Sequence, residues 1–404
     1  MDFIVIGAGV AGLAAARDLE ARGHQVVVLE ARDRIGGRVH TVRPRGWPVP
    51  LELGAEFIHG RPPLLMRLAR GAREVRGRQY GDGLAPQDEI WRSMMEKLGR
   101  LPARRERTVR EALDSPRWRS QTTPVERELA AAYLEGFNAA RLDLASFQAM
   151  AQQIAAAERI EGDRIARFPR GYDAVPRRLA RGLRIELGAR VREIRWTRGS
   201  VQVSAGVRSW EAPRAIVTVP LGVLQARSLR FRPALPAWKQ AAIDALAMGP
   251  VTKIALLFER AFWPRDLAFL LGHGEVPAFW RTLPSRAPVL IGWAASERSR
   301  ALRGKDAVAA AVRSLARATG QRVRPLRGLQ ISWEQDDLAR GAYSWVPVGA
   351  MNAQRELARR VGPLYFAGEA THFGGACGTV HGAIETGLRA AKEAAKLPAR
   401  SRRP

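Results

Sequence analysis

The chain opens on an uninterrupted apolar run, Phe3-Ile4-Val5-Ile6, which is short and β-branched and predicts a strand buried on both faces. A glycine-rich turn follows, Gly7-Ala8-Gly9-Val10-Ala11-Gly12, and then residues 13–22 of helical composition, with Gly23 at a helix C-cap position. Residues 25–30 form a second β-branched run, so the first 30 residues predict a β-α-β unit. Residues 62–157 read as mostly helical, with Ala, Leu, Glu and Arg at helical spacing over 125–140 and 146–158. Residues 190–196, 200–203 and 215–220 predict strands, and 254–258 and 289–293 predict strands of a second layer. An amphipathic helix over 305–319, a late buried strand over 364–369 and a closing helix over 382–396 complete the pattern. The outer segments read as one unit and the middle as another.

Composition changes this picture in few respects. The 404 residues allow two or three domain-sized units. With 46% apolar and 26% charged residues the chain is ordinary globular material and not disordered. The lone cysteine, Cys377, excludes an internal disulfide and a cysteine-built zinc site. No apolar run approaches the roughly 18 residues of a membrane helix. The chain begins directly on a core strand with no secretory leader ahead of it, so a cytoplasmic location is expected. The net charge of +27 raises nucleic acid as a partner. The basic residues are six Lys and 60 Arg spread along the whole chain, and a solvated basic surface accounts for them. Nucleic acid is therefore not an expected partner.

The turn after the first strand has the form G-x-G-x-x-G. Gly7 permits the tight turn, Gly9 lets a pyrophosphate approach the backbone, and Gly12 lets the helix pack on the sheet. The helix N-terminus offers free N–H groups to phosphates. Glu30 closes the second strand, where a carboxylate accepts from ribose hydroxyls. Strand, turn, helix, strand and acid together predict a dinucleotide site, without choosing between NAD and FAD.

The next residues do choose. Glu30-Ala31-Arg32-Asp33-Arg34-Ile35-Gly36-Gly37-Arg38 resembles the extended fingerprint of the flavin amine oxidase family, which includes monoamine oxidases, polyamine oxidases and flavin histone demethylases. Leu53-Gly54-Ala55-Glu56-Phe57-Ile58-His59-Gly60 is similar to the family segment that passes the flavin. Gly171-Tyr172, Val191, the run from Val217 to Leu224, Phe231 with Pro233, Leu235 and Pro236, and Met248-Gly249 with Lys253 match in order. So do Tyr365-Phe366-Ala367-Gly368-Glu369-Ala370-Thr371 and Thr379-Val380-His381-Gly382. The match spans most of the chain and is weakest over 62–160.

The resemblance implies an α/β fold of amine oxidase / p-hydroxybenzoate hydroxylase-like architecture. It implies a Rossmann-like FAD-binding domain of discontinuous segments (1–61, 160–232 and 325–397), an inserted α+β substrate domain (62–159 and 233–324) and a basic tail (398–404). Cofactor contacts are expected from Gly7, Gly9, Gly12, Glu30, Arg32, Gly36, Gly37, Arg38, Gly54, Ala55, Glu56, Val191, Gly368, Glu369, Thr379 and Val380. Lys253 is expected to hold a water against flavin N5. Tyr343 is expected as one wall of a half-open amine cage facing Thr379, with Trp333 packing beside the flavin. Ala342 occupies the position of the covalent cysteine of monoamine oxidases, so FAD is expected to be non-covalent. The implied reaction oxidises the C–H next to an amine nitrogen by hydride transfer to FAD. Imine hydrolysis follows, and O2 as acceptor gives H2O2.

Two rival readings share the N-terminal fingerprint. A desaturase or protoporphyrinogen oxidase type is opposed by the Lys253 motif and by the run from Thr379 to Gly382. A basic FAD-containing protein acting on nucleic acid is opposed by the lack of any helix-turn-helix or finger pattern. His59, His372 and His381 have no metal-ligand spacing supported by acids, so no metal is expected. The substrate amine and the oligomeric state are not legible.

Overall fold

The structure, a computed structural model, describes residues 1–396. The basic tail expected over 398–404 lies outside the described residues. The central sheet is parallel, in the order Leu364–Phe366, Arg214–Val217, Phe3–Ile6, Val26–Leu29, Ile185–Glu186. Its two middle strands are buried at every residue, as their unbroken β-branched runs require. Alternate residues feed different layers. Phe3, Val5, Val26 and Val28 pack with the first and last helices, whereas Ile4, Ile6, Val27 and Leu29 pack with the four-stranded sheet that carries Ile194, Val201 and Val203.

The first helix, Val10–Ala21, is rich in alanine and buries most of its length. That small surface admits the last helix, Val380–Ala395, to near contact. A Cβ added at Gly387 would lie 2.1 Å from the Ala11 carbonyl oxygen.

A second, six-stranded sheet runs Arg327–Ser332, Val251–Leu257, Val289–Ala295, Ala278–Arg281, Leu267–Leu271, Arg78–Tyr80. Ile254 and Leu256 face the helix Ala307–Thr319, which presents Ala310, Ala311 and Leu315. Lys253, Ala255 and Leu257 point to the opposite face by the alternation of a strand. The expected strands and helices of this layer are present, but the largely helical stretch 62–157 also contains the short strands Arg73–Glu74 and Arg78–Tyr80. Arg78–Tyr80 pairs parallel with Leu267–Leu271, a partner far away in sequence, and three residues carry no periodicity to read. Arg327–Ser332, for which the pattern predicts no element, pairs with Val251–Leu257. The helices Val109–Leu113 and Pro124–Asn138 start at complete capping boxes, Thr108 with Glu111 and Thr123 with Glu126. Among the described residues, no helix is long and apolar enough to cross a membrane.

Candidate active site

One cavity of about 2200 Å³ runs from the glycine turn at Gly7 and Gly9, past Glu30, Ala55, Val191 and Thr379, to Lys253, Trp280 and Phe137. Ordinary ligand pockets hold roughly 300–1,000 Å³, so this space admits a dinucleotide and a second molecule together.

The cradle end is shaped by missing side chains. A Cβ at Gly12 would stand 2.0 Å from the Gly7 carbonyl oxygen, so helix and turn touch only through glycine. A Cβ at Gly9 would meet nothing within 4 Å, because it would project into the cavity. The first helix has no side-chain cap at Gly9 and no acid in its first turn, which leaves its positive end for an anionic group. Glu30 is held in place by its own turn. Its Oε2 accepts from Ala8 N–H at 2.7 Å and its Oε1 from Arg32 N–H at 2.9 Å, and its remaining lone pairs are available to hydroxyls. These residues fit a dinucleotide.

The other end of the cradle is tied by Glu369, which begins a short turn after the strand Leu364–Phe366. Its Oε1 accepts from Arg38 Nη1 at 2.9 Å. Its Oε2 accepts from the Ser344 N–H and Oγ–H and from the Gly378 N–H. Arg38 Nη1 also donates to the Ala342 carbonyl at 2.8 Å. Three remote segments are thereby fixed around one buried carboxylate. Gly54 sits on Arg38, where a Cβ would come 1.8 Å from the carbonyl oxygen, and Ala55 N–H donates to the same oxygen. Trp333 packs over Gly54 and donates its indole N–H to the Leu53 carbonyl at 2.8 Å.

The inner end of the cavity is aromatic. Phe57 and Trp280 lie 5.5 Å apart, Trp280 and Trp293 5.7 Å, His59 and Phe137 5.4 Å, and Tyr133 and Phe137 5.2 Å. Tyr343 rests on Gly378, beside Thr379, and its hydroxyl donates to the Phe137 carbonyl at 2.7 Å. Trp293 donates to the Gly136 carbonyl at 3.0 Å, so the end of the helix Pro124–Asn138 is pinned to the tunnel wall. Burial holds His59 and His381 down to about 4, so both are neutral imidazoles near neutral pH. Lys253 stands where cradle and tunnel meet, buried, with its ammonium 2.5 Å from Glu56 Oε2 and 3.1 Å from the Gly54 carbonyl.

Every residue nominated from sequence, apart from Gly12, lines this cavity. Gly12 acts one layer behind it. Several carry partners that sequence did not foretell. Arg32 pairs with Asp336 at 2.8 Å, Glu56 pairs with Lys253 and Arg167, and the Thr379 hydroxyl caps the last helix by accepting from Gly382 N–H. Sequence reasoning missed Arg167 and the rings of Phe57, Tyr133, Phe137, Trp280 and Trp293. The one available signal was strand parity. Lys253 is in register with Trp293, and Trp280 with Ile291 two residues away, so all face the same side of the sheet.

The model of the family "Flavin containing amine oxidoreductase" matches residues 10–395. Polyamine oxidase 3 of Oryza sativa subsp. japonica is 32% identical over 96% of this chain and 88% of its own length. Among solved structures, putrescine oxidase bound to putrescine superposes with a TM-score of 0.82 at 22% identity, covering 98% of this chain and 99% of that one. Cyclohexylamine oxidase from Brevibacterium oxydans IH-35A gives 0.83 at 23%, covering 98% of each chain. The chain belongs to the flavin-containing amine oxidoreductase family. It is an FAD-dependent amine oxidase with the α/β FAD-binding fold and substrate domain of that family.

Proposed function

We propose that this enzyme oxidises the carbon next to a nitrogen of a linear aliphatic amine of the polyamine type, using non-covalently held FAD, and that O2 is the electron acceptor. The observation that carries this reading is the continuity of one cavity, cradle to aromatic tunnel, with Lys253 and Tyr343 at the junction. FAD supplies a two-electron acceptor that takes the hydrogen from the substrate carbon. The chain's residues bind and orient around that event. Gly9 and the first helix take the pyrophosphate, Glu30 the ribose, and Arg38, Val191 and Val380 the rest of the cofactor. Tyr343 and Thr379 flank the reacting amine as a half-open cage, and Lys253 holds a water there. Aromatic walls exclude solvent and favour the neutral amine, whose lone pair the reaction requires. No side chain need act as general base.

Ala342 cannot form a thioether, and the Cys377 thiol is buried, in contact with Gln153 and pushed up to about 11 by burial, which supports a non-covalent cofactor. The polyamine class is supported by the 32% identity to a polyamine oxidase over 96% of this chain. The FAD-binding domain comprises 1–61, 160–232 and the chain from 333 to 396. The pairing of Arg327–Ser332 with Val251–Leu257 supports a start of the last segment after Ser332 in place of the expected 325. A cytoplasmic location is in keeping with a single cysteine and no disulfide.

The test is an anaerobic titration of the holoenzyme with aromatic monoamines, linear di- and polyamines, and amino acids. Bleaching of the flavin absorption by the linear amines is expected. Bleaching by another class alone would overturn the substrate assignment.

A further inference from the structure

Lys253 and Glu56 belong to a buried charge cluster completed by Arg167. The side chains of Lys253, Glu56 and Arg167 are exposed by 3%, 2% and 3%. They come from separate elements. Lys253 lies on Val251–Leu257, Glu56 just precedes Phe57–His59, and Arg167 lies on Ile165–Arg167. The last two strands pair with Phe57 opposite Arg167, which brings Arg167 beside Glu56. Glu56 Oε2 accepts from Lys253, while its Oε1 lies 2.8 Å from Arg167 Nε at an angle that makes an ion pair and not a hydrogen bond. The Lys253 ammonium also stands 5.4 Å from the centre of the Trp280 ring. Two of its three N–H donors go to Glu56 and the Gly54 carbonyl, which leaves one for a further acceptor.

We propose that Glu56 is the positioning residue for Lys253, a buried counter-ion that holds the ammonium as a fixed, charged donor at the junction of cradle and tunnel, with Arg167 keeping the carboxylate in place. The proposal rests on the reading of Lys253 given above. The cluster holds its charges by mutual compensation. An ammonium this deeply buried is costly unless it is paired. Burial pushes Lys253 down from its ordinary value, and Glu56 opposes that shift. Burial also pushes Glu56 up, but Lys253 and Arg167 outweigh it and leave the carboxylate below its usual range. The charged groups acting on Lys253 are Glu56, Glu52 and Arg167, and the rings of Trp280 and Trp293 share its sheet face. Without Glu56, Arg167 would face Lys253 as an unscreened like charge.

The chain has six lysines, so their isotope-labelled ε-carbons can be followed by NMR in the holoenzyme, with K253M assigning the signal. Lys253 is expected to be an ammonium at about pH 7 in the wild type and in E56D, although burial lowers its titration from the ordinary value. In E56Q its titration is expected to move down by about 1–3 pH units. A wild-type Lys253 already neutral near pH 7, or an E56Q titration coinciding with the wild type, would overturn the assignment. Should E56Q not fold, the wild-type and E56D titrations decide alone. An ammonium present at about pH 7 in both bears the assignment out, and one already lost at about pH 7 in either defeats it. No substrate is present, so this result is readable even if no amine reduces the enzyme.

Discussion

Arg38 and Glu369 meet at 2.9 Å although 331 residues separate them, and the same carboxylate takes three further donors from Ser344 and Gly378. The pair closes the site. Arg38 reaches it from the cofactor turn, Ser344 from the strand that carries Tyr343, and Gly378 from the approach to the last helix.

Removing the carboxylate should therefore loosen three segments at once. Glu369→Ala is expected to cost about 3 kcal/mol, since it leaves a partly buried guanidinium without its partner. It should also yield protein largely free of flavin. Denaturant unfolding and the flavin-to-protein absorbance ratio measure both effects. Normal flavin content in this variant would refute the closing role.

Gly9 and Gly12 should fail differently under the same substitution. Gly12→Ala pushes a methyl to 2.0 Å from the Gly7 carbonyl oxygen, so the fold itself should lose about 1–3 kcal/mol. Gly9→Ala meets nothing in the protein and should unfold within about 0.5 kcal/mol of the wild type. Its FAD affinity should fall roughly tenfold or more, because the methyl enters the space of the pyrophosphate. Thermal melts of the flavin-free proteins, followed by FAD titration, separate the two.

Glu52 supplies a pH signature. Its carboxyl is buried, accepts from Thr41 Oγ and Tyr172 N–H, and is raised by burial from 4.5 to about 7. Between those values the folded protein holds a proton that the unfolded chain has released, so this group's contribution falls as pH rises from 4.5 through 7. Glu52→Gln should be more stable than the wild type at about pH 8, by up to about 3 kcal/mol, and the gap should close near pH 5. Denaturation of both proteins across that range tests this. A gap that widens toward acid would reverse the sign and sink the argument.

Tyr343 offers two separable contributions, its hydroxyl and its ring. Tyr343→Phe loses the hydrogen bond to the Phe137 carbonyl, about 1 kcal/mol, and should lower kcat/KM by no more than roughly fivefold. Tyr343→Ala removes the wall itself and should lower kcat/KM by at least about tenfold. Equal effects in steady-state assays would mean that the ring does not orient the amine.

The cradle was legible in the amino-acid order because its determinants are local. The run Phe3–Ile6, the turn from Gly7 to Gly12 and the acid at Glu30 lie within one β-α-β unit, where Gly12 answers the close approach of the Gly7 carbonyl and Gly9 leaves the cavity open. Lys253, Tyr343 and Trp333 were reachable through their motifs, and all three line the cavity. The strand Arg78–Tyr80 was not legible, since three residues without periodicity become a strand only when Leu267–Leu271 lies beside them.

By itself the sequence determined the class of ligand and the layered fold, through buried runs, glycine positions and helix caps that act over a few residues. Tertiary structure alone decided which charges and rings meet. Glu56 finds Lys253 across 197 residues, and Trp280 and Trp293 turn toward the same space because neighbouring strands share a register. A buried carboxylate must find a cation wherever the chain brings one, and no local pattern records which cation that will be.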